Sequence, residues 1–306
     1  MKKIYTFFVV TLLFIGCSRG QSERIDDCIL WKISGNGLEK PSYLLGTYHE
    51  VELKFLDSIP QFWEIYNSVE CLITEVNFTD KETLERMEES NKEEEEKFFM
   101  PGDTTYQMLY SPSDFHVIDS AMKAENMIDY QQFMPEYIAE SFFDNVRMKS
   151  LKGCMDIELQ IKALKDHKEI LELDSIEFCQ VYENSTVIYD LKKQAKELLK
   201  VVTNIDSLTE ECKLLELEYR QQKIMSFSVD SIKSRFNRWI VGSEKEMDAG
   251  NLFHGKRNEL WMEKIPAYIS QKSSLIVVGC GHLVNENGLI YALRDMGYTV
   301  NPVMSE

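Results

Sequence analysis

Short unbroken apolar runs alternate along the chain with longer stretches whose apolar residues recur every three or four positions. The runs at 28–34, 42–47, 70–77, 275–278 and 298–303 are too short and too rich in β-branched residues for helices, and they predict strands. Gly35, Asn36 and Gly37 between the first two predict a hairpin. Residues 57–68 place Ile59, Phe62, Trp63 and Tyr66 at helical spacing, and 135–149 do the same with Ile138, Phe142, Phe143 and Val146. Further helices are predicted over 80–97, 156–169 with Asp156 as its cap, 191–202, 208–225 and 229–241. A helix opening at 251–265 precedes the last strands, and one over 285–296 is closed by Gly297. The middle, 79–272, carries no convincing strand. The fold class that follows is α/β: a central mixed sheet with flanking helices, and a large helical insertion within one domain over 28–306.

Two strands end alike. The run at 42–47 leads into Gly46-Thr47-Tyr48-His49, and the run at 275–278 into Gly279-Cys280-Gly281-His282. Gly-x-x-His thus follows a hydrophobic strand twice, and takes two of the chain's five histidines. The two glycines at 279 and 281 predict a sharp bend or a positive φ that presents His282. Sites in α/β sheets form at the carboxyl ends of strands, so both imidazoles are expected to reach one point there. Glu75 ends a third apolar run, where a carboxylate needs a partner or solvent. A strand–helix–strand unit over 43–76 would set Glu75 side by side with His49. Arg257 reads either as a surface group or as a cation near the same edge, holding a substrate carboxylate or a developing oxyanion. Asn258 beside it reads as a cap or a second polar group.

Composition adds an address and removes some partners. Lys2 and Lys3 followed by the apolar 4–15 make a signal sequence over 1–16, too short to span a bilayer. Phe14-Ile15-Gly16-Cys17 resembles a bacterial lipobox, with Cys17 lipidated and 17–27 as a polar tether. The expected location is the bacterial cell envelope, lipid-anchored, with the choice of membrane open. A net charge of −17 argues against nucleic acid as a partner. The cysteines show no zinc-knuckle spacing, and Cys71 and Cys280 read as buried apolar residues.

The paired Gly-x-x-His motifs, the strand ending in Glu75 and Arg257-Asn258-x-x-Trp261 together resemble the TraB/GumN family, which includes the Tiki proteins, described as metal-dependent proteases. The segment from Leu173 to Glu177, with Gln180 after it, looks like a variant of a Leu-Glu-Thr and downstream Gln segment of that family. The resemblance implies that His49, His282 and Glu75 are metal or catalytic residues. It departs at Glu50, where an apolar residue is usual, at Asn285, where glycine is usual, and at Asp174. Two imidazoles and a carboxylate leave coordination positions open for water and substrate. Such a set suits a divalent metal such as Mn, Co or Zn, with Glu75 either ligand or general base. The implied function is an envelope-tethered metal-dependent hydrolase acting on a peptide or protein substrate. The alternatives are a metal- or peptide-binding lipoprotein without turnover, and an iron oxygenase, which uses the same ligand types.

Overall fold

The apolar runs pair into one sheet. A computed structural model describes residues 25–95, 98–149, 151–174, 190–236, 244–285 and 287–304; the signal sequence, Cys17 and 175–180 therefore lie outside the described residues. The strands are β1 (Leu30–Gly35), β2 (Ser42–Thr47), β3 (Cys71–Thr74), β4 (Glu169–Glu172), β5 (Ser274–Gly279) and β6 (Tyr298–Pro302), in the order β4-β3-β5-β2-β1-β6. The first four in that order run parallel, and β1 is antiparallel to both β2 and β6. The fold is mixed α/β. The hairpin joins β1 to β2, with Gly35, Asn36 and Gly37 all at positive φ. β5 lies between β3 and β2 and is apolar along its length because it is covered on both faces; Leu275 to Val278 are at most 2% exposed.

Two expectations about the sheet are corrected. β4 lies inside the stretch read as wholly helical. It is a four-residue edge strand with only Ile170 and Leu171 apolar, so its pattern is too short to register, and its ladder to β3 decides it. β2 and β3 are also not side by side, because β5 inserts between them.

The helices are α1 (Phe62–Ser68), α2 (Lys81–Glu95), α3 (Tyr106–Leu109), α4 (Pro112–Ala124), α5 (Pro135–Met148), α6 (Met155–Lys165), α7 (Leu191–Thr203), α8 (Ile205–Arg220), α9 (Val229–Phe236), α10 (Glu244–Gln271) and α11 (Leu289–Asp295). The helix expected over 57–68 is split into a 3-10 turn, Leu53–Ser58, and α1. Pro60 keeps Ile59 extended, and Gln61 enters α1 at φ +60. The helix expected over 156–169 ends at Lys165, and His167 at φ +55 turns the chain into β4. α10 begins earlier than expected, at Glu244, and runs on past Pro266 to Gln271. Its stripe Trp261, Ile265 and Ile269 is buried against the sheet. Each such side chain contributes about 1.5–3 kcal/mol by burial, enough to outweigh the hydrogen bond that proline removes. The last helix starts at Leu289 and not at 285, since Asn285 sits at φ +82 and Gly288 caps α11.

A second cluster, with Tyr106, Ile118, Met122, Ile138, Phe142 and Leu198 at its centre, joins α3, α4, α5 and α7. The helical insertion therefore has a core of its own beside the larger one around the sheet.

Candidate functional site at the carboxyl edge of the sheet

Because β4, β3, β5 and β2 are neighbouring and parallel, their carboxyl ends form one edge. Each is followed there by one chemically active residue: Asp174 after β4, Glu75 after β3, His282 after β5 and His49 after β2. The ladder continues past the assigned strand ends, with Asp174 N–H donating to the Glu75 carbonyl at 2.9 Å. Arg257 and Asn258 come from α10, and Asp156 from the first turn of α6.

Gly279 marks the centre. A Cβ placed on it would stand 3.6 Å from Glu75 Oε1, 3.9 Å from His282 Cδ2 and 4.0 Å from His49 Nε2. The three residues singled out from the sequence thus surround one space, kept open by the absence of a side chain at 279. Neither Gly279 nor Gly281 takes a positive φ. The bend is the 3-10 turn Cys280–His282, and the left-handed residue of this segment is Asn285. Asparagine tolerates that conformation where the family usually has glycine. Its Oδ1 also accepts from Val229 N–H at 3.0 Å, tying α9 to the turn.

The protonation state of His282 follows from its neighbours. Asn258 Nδ2 donates to the carbonyls of His282 (3.1 Å) and Asn287 (2.7 Å), which fixes the amide and turns Oδ1 toward His282 Nδ1 at 2.7 Å. Nδ1 therefore carries a proton. Arg257 can only donate, and its Nη1 lies 3.0 Å from Nε2, so Nε2 is the bare acceptor of a neutral ring. Trp261 packs on that imidazole with ring centroids 4.3 Å apart, and His282 is buried.

His49 is held differently. Its Nδ1 donates to Asp156 Oδ2 at 2.7 Å, and Thr47 Oγ1 donates to Asp156 Oδ1 at 2.5 Å. That hydrogen bond raises the imidazole pKa to about 9 against the opposing effect of burial, with the charges of Asp156 and Glu75 adding to it. Its side chain is 64% exposed, so His49 faces the open side of the site. Asp156 was expected to cap α6. It does not: Cys154 is the N-cap residue, and both Asp156 oxygens turn toward the end of β2.

Glu75 is largely covered, with 18% of its side chain exposed, and that desolvation raises its pKa, yet the net shift is downward. Arg257, the Gly279 N–H at 2.7 Å and His49 outweigh desolvation. Arg257 Nη2 donates to Glu75 Oε2 at 2.5 Å, while its Nε (2.9 Å) and Nη2 (2.5 Å) donate to Asp174 Oδ2. Asp174 Oδ1 accepts from Trp261 Nε1 at 2.6 Å. The guanidinium is buried, and its charge is matched by two carboxylates. Asp156 and Asp174 are the site residues that sequence reasoning missed. The first gave a helix-cap signal, and the second followed an unread strand.

The donor chemistry fits a divalent ion. Each histidine has Nδ1 tied to an oxygen acceptor, which leaves Nε2 as the atom for an ion, the arrangement by which outer partners orient metal-bound imidazoles. Among the described residues no three His, Cys, Asp or Glu side chains are placed to hold an ion as they stand. The Arg257 guanidinium lies against His282 Nε2 and Glu75 Oε2. His116, on α4, and His167, after α6, belong to other parts of the fold.

No curated protein and no solved structure gives a significant match to this chain. The family comparison gives a match to the TraB/PrgY/gumN model over residues 29–302, and with nearly its whole length covered, the chain belongs to the TraB/PrgY/gumN family.

Proposed function

We propose that the chain is a metal-dependent hydrolase acting on peptide bonds, tethered to a bacterial envelope membrane through Cys17. The observation that carries the reading is the convergence of His49 Nε2, Glu75 Oε1 and the His282 ring on the space above Gly279. His49, His282 and Glu75 would hold a divalent ion, Mn, Co or Zn. When bound, such an ion lowers the pKa of a water to about 7 and polarises a carbonyl. The choice of peptide as substrate rests on the resemblance to metal-dependent proteases of the family.

The chain's own residues take distinct parts in this reading. Asp156 and Asn258 orient the two imidazoles, each by accepting a hydrogen bond from Nδ1–H. Glu75 is assigned as a ligand and not as the general base. Its carboxyl is held below the usual range, whereas an effective base has a pKa near the working pH. Arg257, charged at every relevant pH, is the cation beside the centre suited to a developing oxyanion. His49, open to solvent, marks the side from which substrate enters.

The test is cleavage of a peptide library by the chelator-treated mature chain with each metal restored. Turnover that returns only with metal, and that is lost together with bound metal in His49→Ala and His282→Ala but not in His116→Ala, is the expected result. Turnover indifferent to chelation sinks the metal-dependent reading, and metal binding without turnover makes the chain a binding protein.

A further inference from the structure

Arg257 engages the one acceptor of the His282 ring and one oxygen of Glu75, while the other oxygen, Oε1, faces the space above Gly279 and accepts from its N–H. Arg257 Nη1 sits on His282 Nε2 and Nη2 on Glu75 Oε2, at 3.0 and 2.5 Å. The tautomer fixed by Asn258 leaves Nε2 as the one acceptor of that ring, so an ion and the guanidinium cannot use it together. Asp174 anchors the other side of the same guanidinium through Nε and Nη2, and is itself held by Trp261. The Arg257 side chain also lies over the Trp261 ring, 4.7 Å from its centroid.

We infer, resting on the metal-dependent reading above, that Arg257 is a built-in cation of this site. It holds His282 and Glu75 in place in the metal-free protein and must be displaced from His282 Nε2 for an ion to load. The exchange is balanced in simple terms. The hydrogen bond from Nη1 to His282 Nε2 breaks, the ion takes that lone pair beside Glu75 Oε1, and Arg257 keeps its bonds to Asp174. Without Arg257 the ion displaces no hydrogen bond at His282 Nε2 and meets no guanidinium charge beside it. Removing the guanidinium is therefore expected to tighten metal binding by roughly 10- to 100-fold.

The measurement is calorimetric titration of the chelator-stripped mature chain with Mn²⁺ and with Zn²⁺. Arg257→Ala alone takes from the buried Asp174 carboxylate the guanidinium that offsets its charge, which threatens folding. Arg257→Ala combined with Asp174→Asn removes that charge and keeps an acceptor for Trp261, and thermal melts establish that it is folded. Tighter binding in the folded double variant, with Arg257→Lys between it and the unaltered protein, is the expected result, since a point charge reaches fewer of the acceptors. Equal or weaker binding in the folded double variant overturns the inference and leaves the metal site standing. No binding of either ion to any of the proteins overturns the metal-dependent reading itself.

Discussion

Asp156 lies in the first turn of α6, where a carboxylate ordinarily serves the helix's free amides, yet both its oxygens point to Thr47 and His49. It thereby gives His49 a charge state unlike that of His282. One imidazole is protonated at neutral pH with its pKa raised to about 9, and the other is neutral and buried. The raised value sets a sign for stability. A group whose pKa is higher in the folded chain contributes fully below its unfolded value of about 6.5 and loses that contribution as pH rises through the folded value. Melts of the metal-free protein against His49→Gln are expected to differ most near pH 6 and to converge by about pH 9.5. The gap will be modest, because solvent screens a side chain that is 64% exposed. A gap that holds constant across this range would detach Asp156 from the charge of His49.

The two Gly-x-x-His elements look equivalent in sequence and differ in space. A Cβ on Gly46 would stand 3.0 Å from both Cys280 Sγ and Leu283 Cδ2, so this glycine lets β2 pack against the turn after β5. A Cβ on Gly279 meets nothing closer than 3.6 Å, and its neighbours are the site residues themselves. Gly46→Ala is expected to cost about 1–3 kcal/mol through overpacking in denaturant unfolding. Gly279→Ala should be about 0.5 kcal/mol more stable than the unaltered protein, while metal binding and turnover fall because its methyl fills the space. A stable, fully active Gly279→Ala would mean the open space is not the working centre. At this scale the legible elements were those with long or apolar patterns: β1, β2, β3, β5, β6 and the amphipathic helices. β4 escaped because an edge strand of Glu-Ile-Leu-Glu is too short for period two to show. Missing it hid Asp174, since a residue's place at the carboxyl edge cannot be read until its strand is known. His49, Glu75, His282 and Arg257 were legible because each ends a clear strand or sits on a clear helix. The order β3-β5-β2 was not, since local pattern says nothing about which strand inserts between two others.

Across the whole molecule, the loop after β2 is where the helical segments meet the sheet. Arg147 of α5 donates to Glu50 at 2.6 Å, Arg220 of α8 forks onto Glu52 at 3.2 and 2.7 Å, and Glu158 of α6 accepts from Leu53 N–H at 3.0 Å. His49 therefore sits in a loop clasped by three helices, one of which, α5, belongs to the second core. Glu50 is the position where the family usually has an apolar residue. Burial pushes its carboxyl upward, and the Arg147 charge opposes that shift. The pair explains how an acid is accommodated there: the guanidinium arrives from the insertion to meet it. Arg147→Met alone strands a nearly buried carboxylate and is expected to cost about 1–3 kcal/mol, less than a fully buried pair because Arg147 is 29% exposed. Glu50→Leu alone should cost less, since Arg147 keeps Asp144 at 2.8 Å. The double variant should return to within about 1 kcal/mol of the unaltered protein, because apolar replacement of both partners removes the uncompensated charge. Urea unfolding of the four proteins gives the coupling directly. If the two single costs simply add, the insertion is not registered on the His49 loop through this pair, and the contact is incidental to how the two cores are joined.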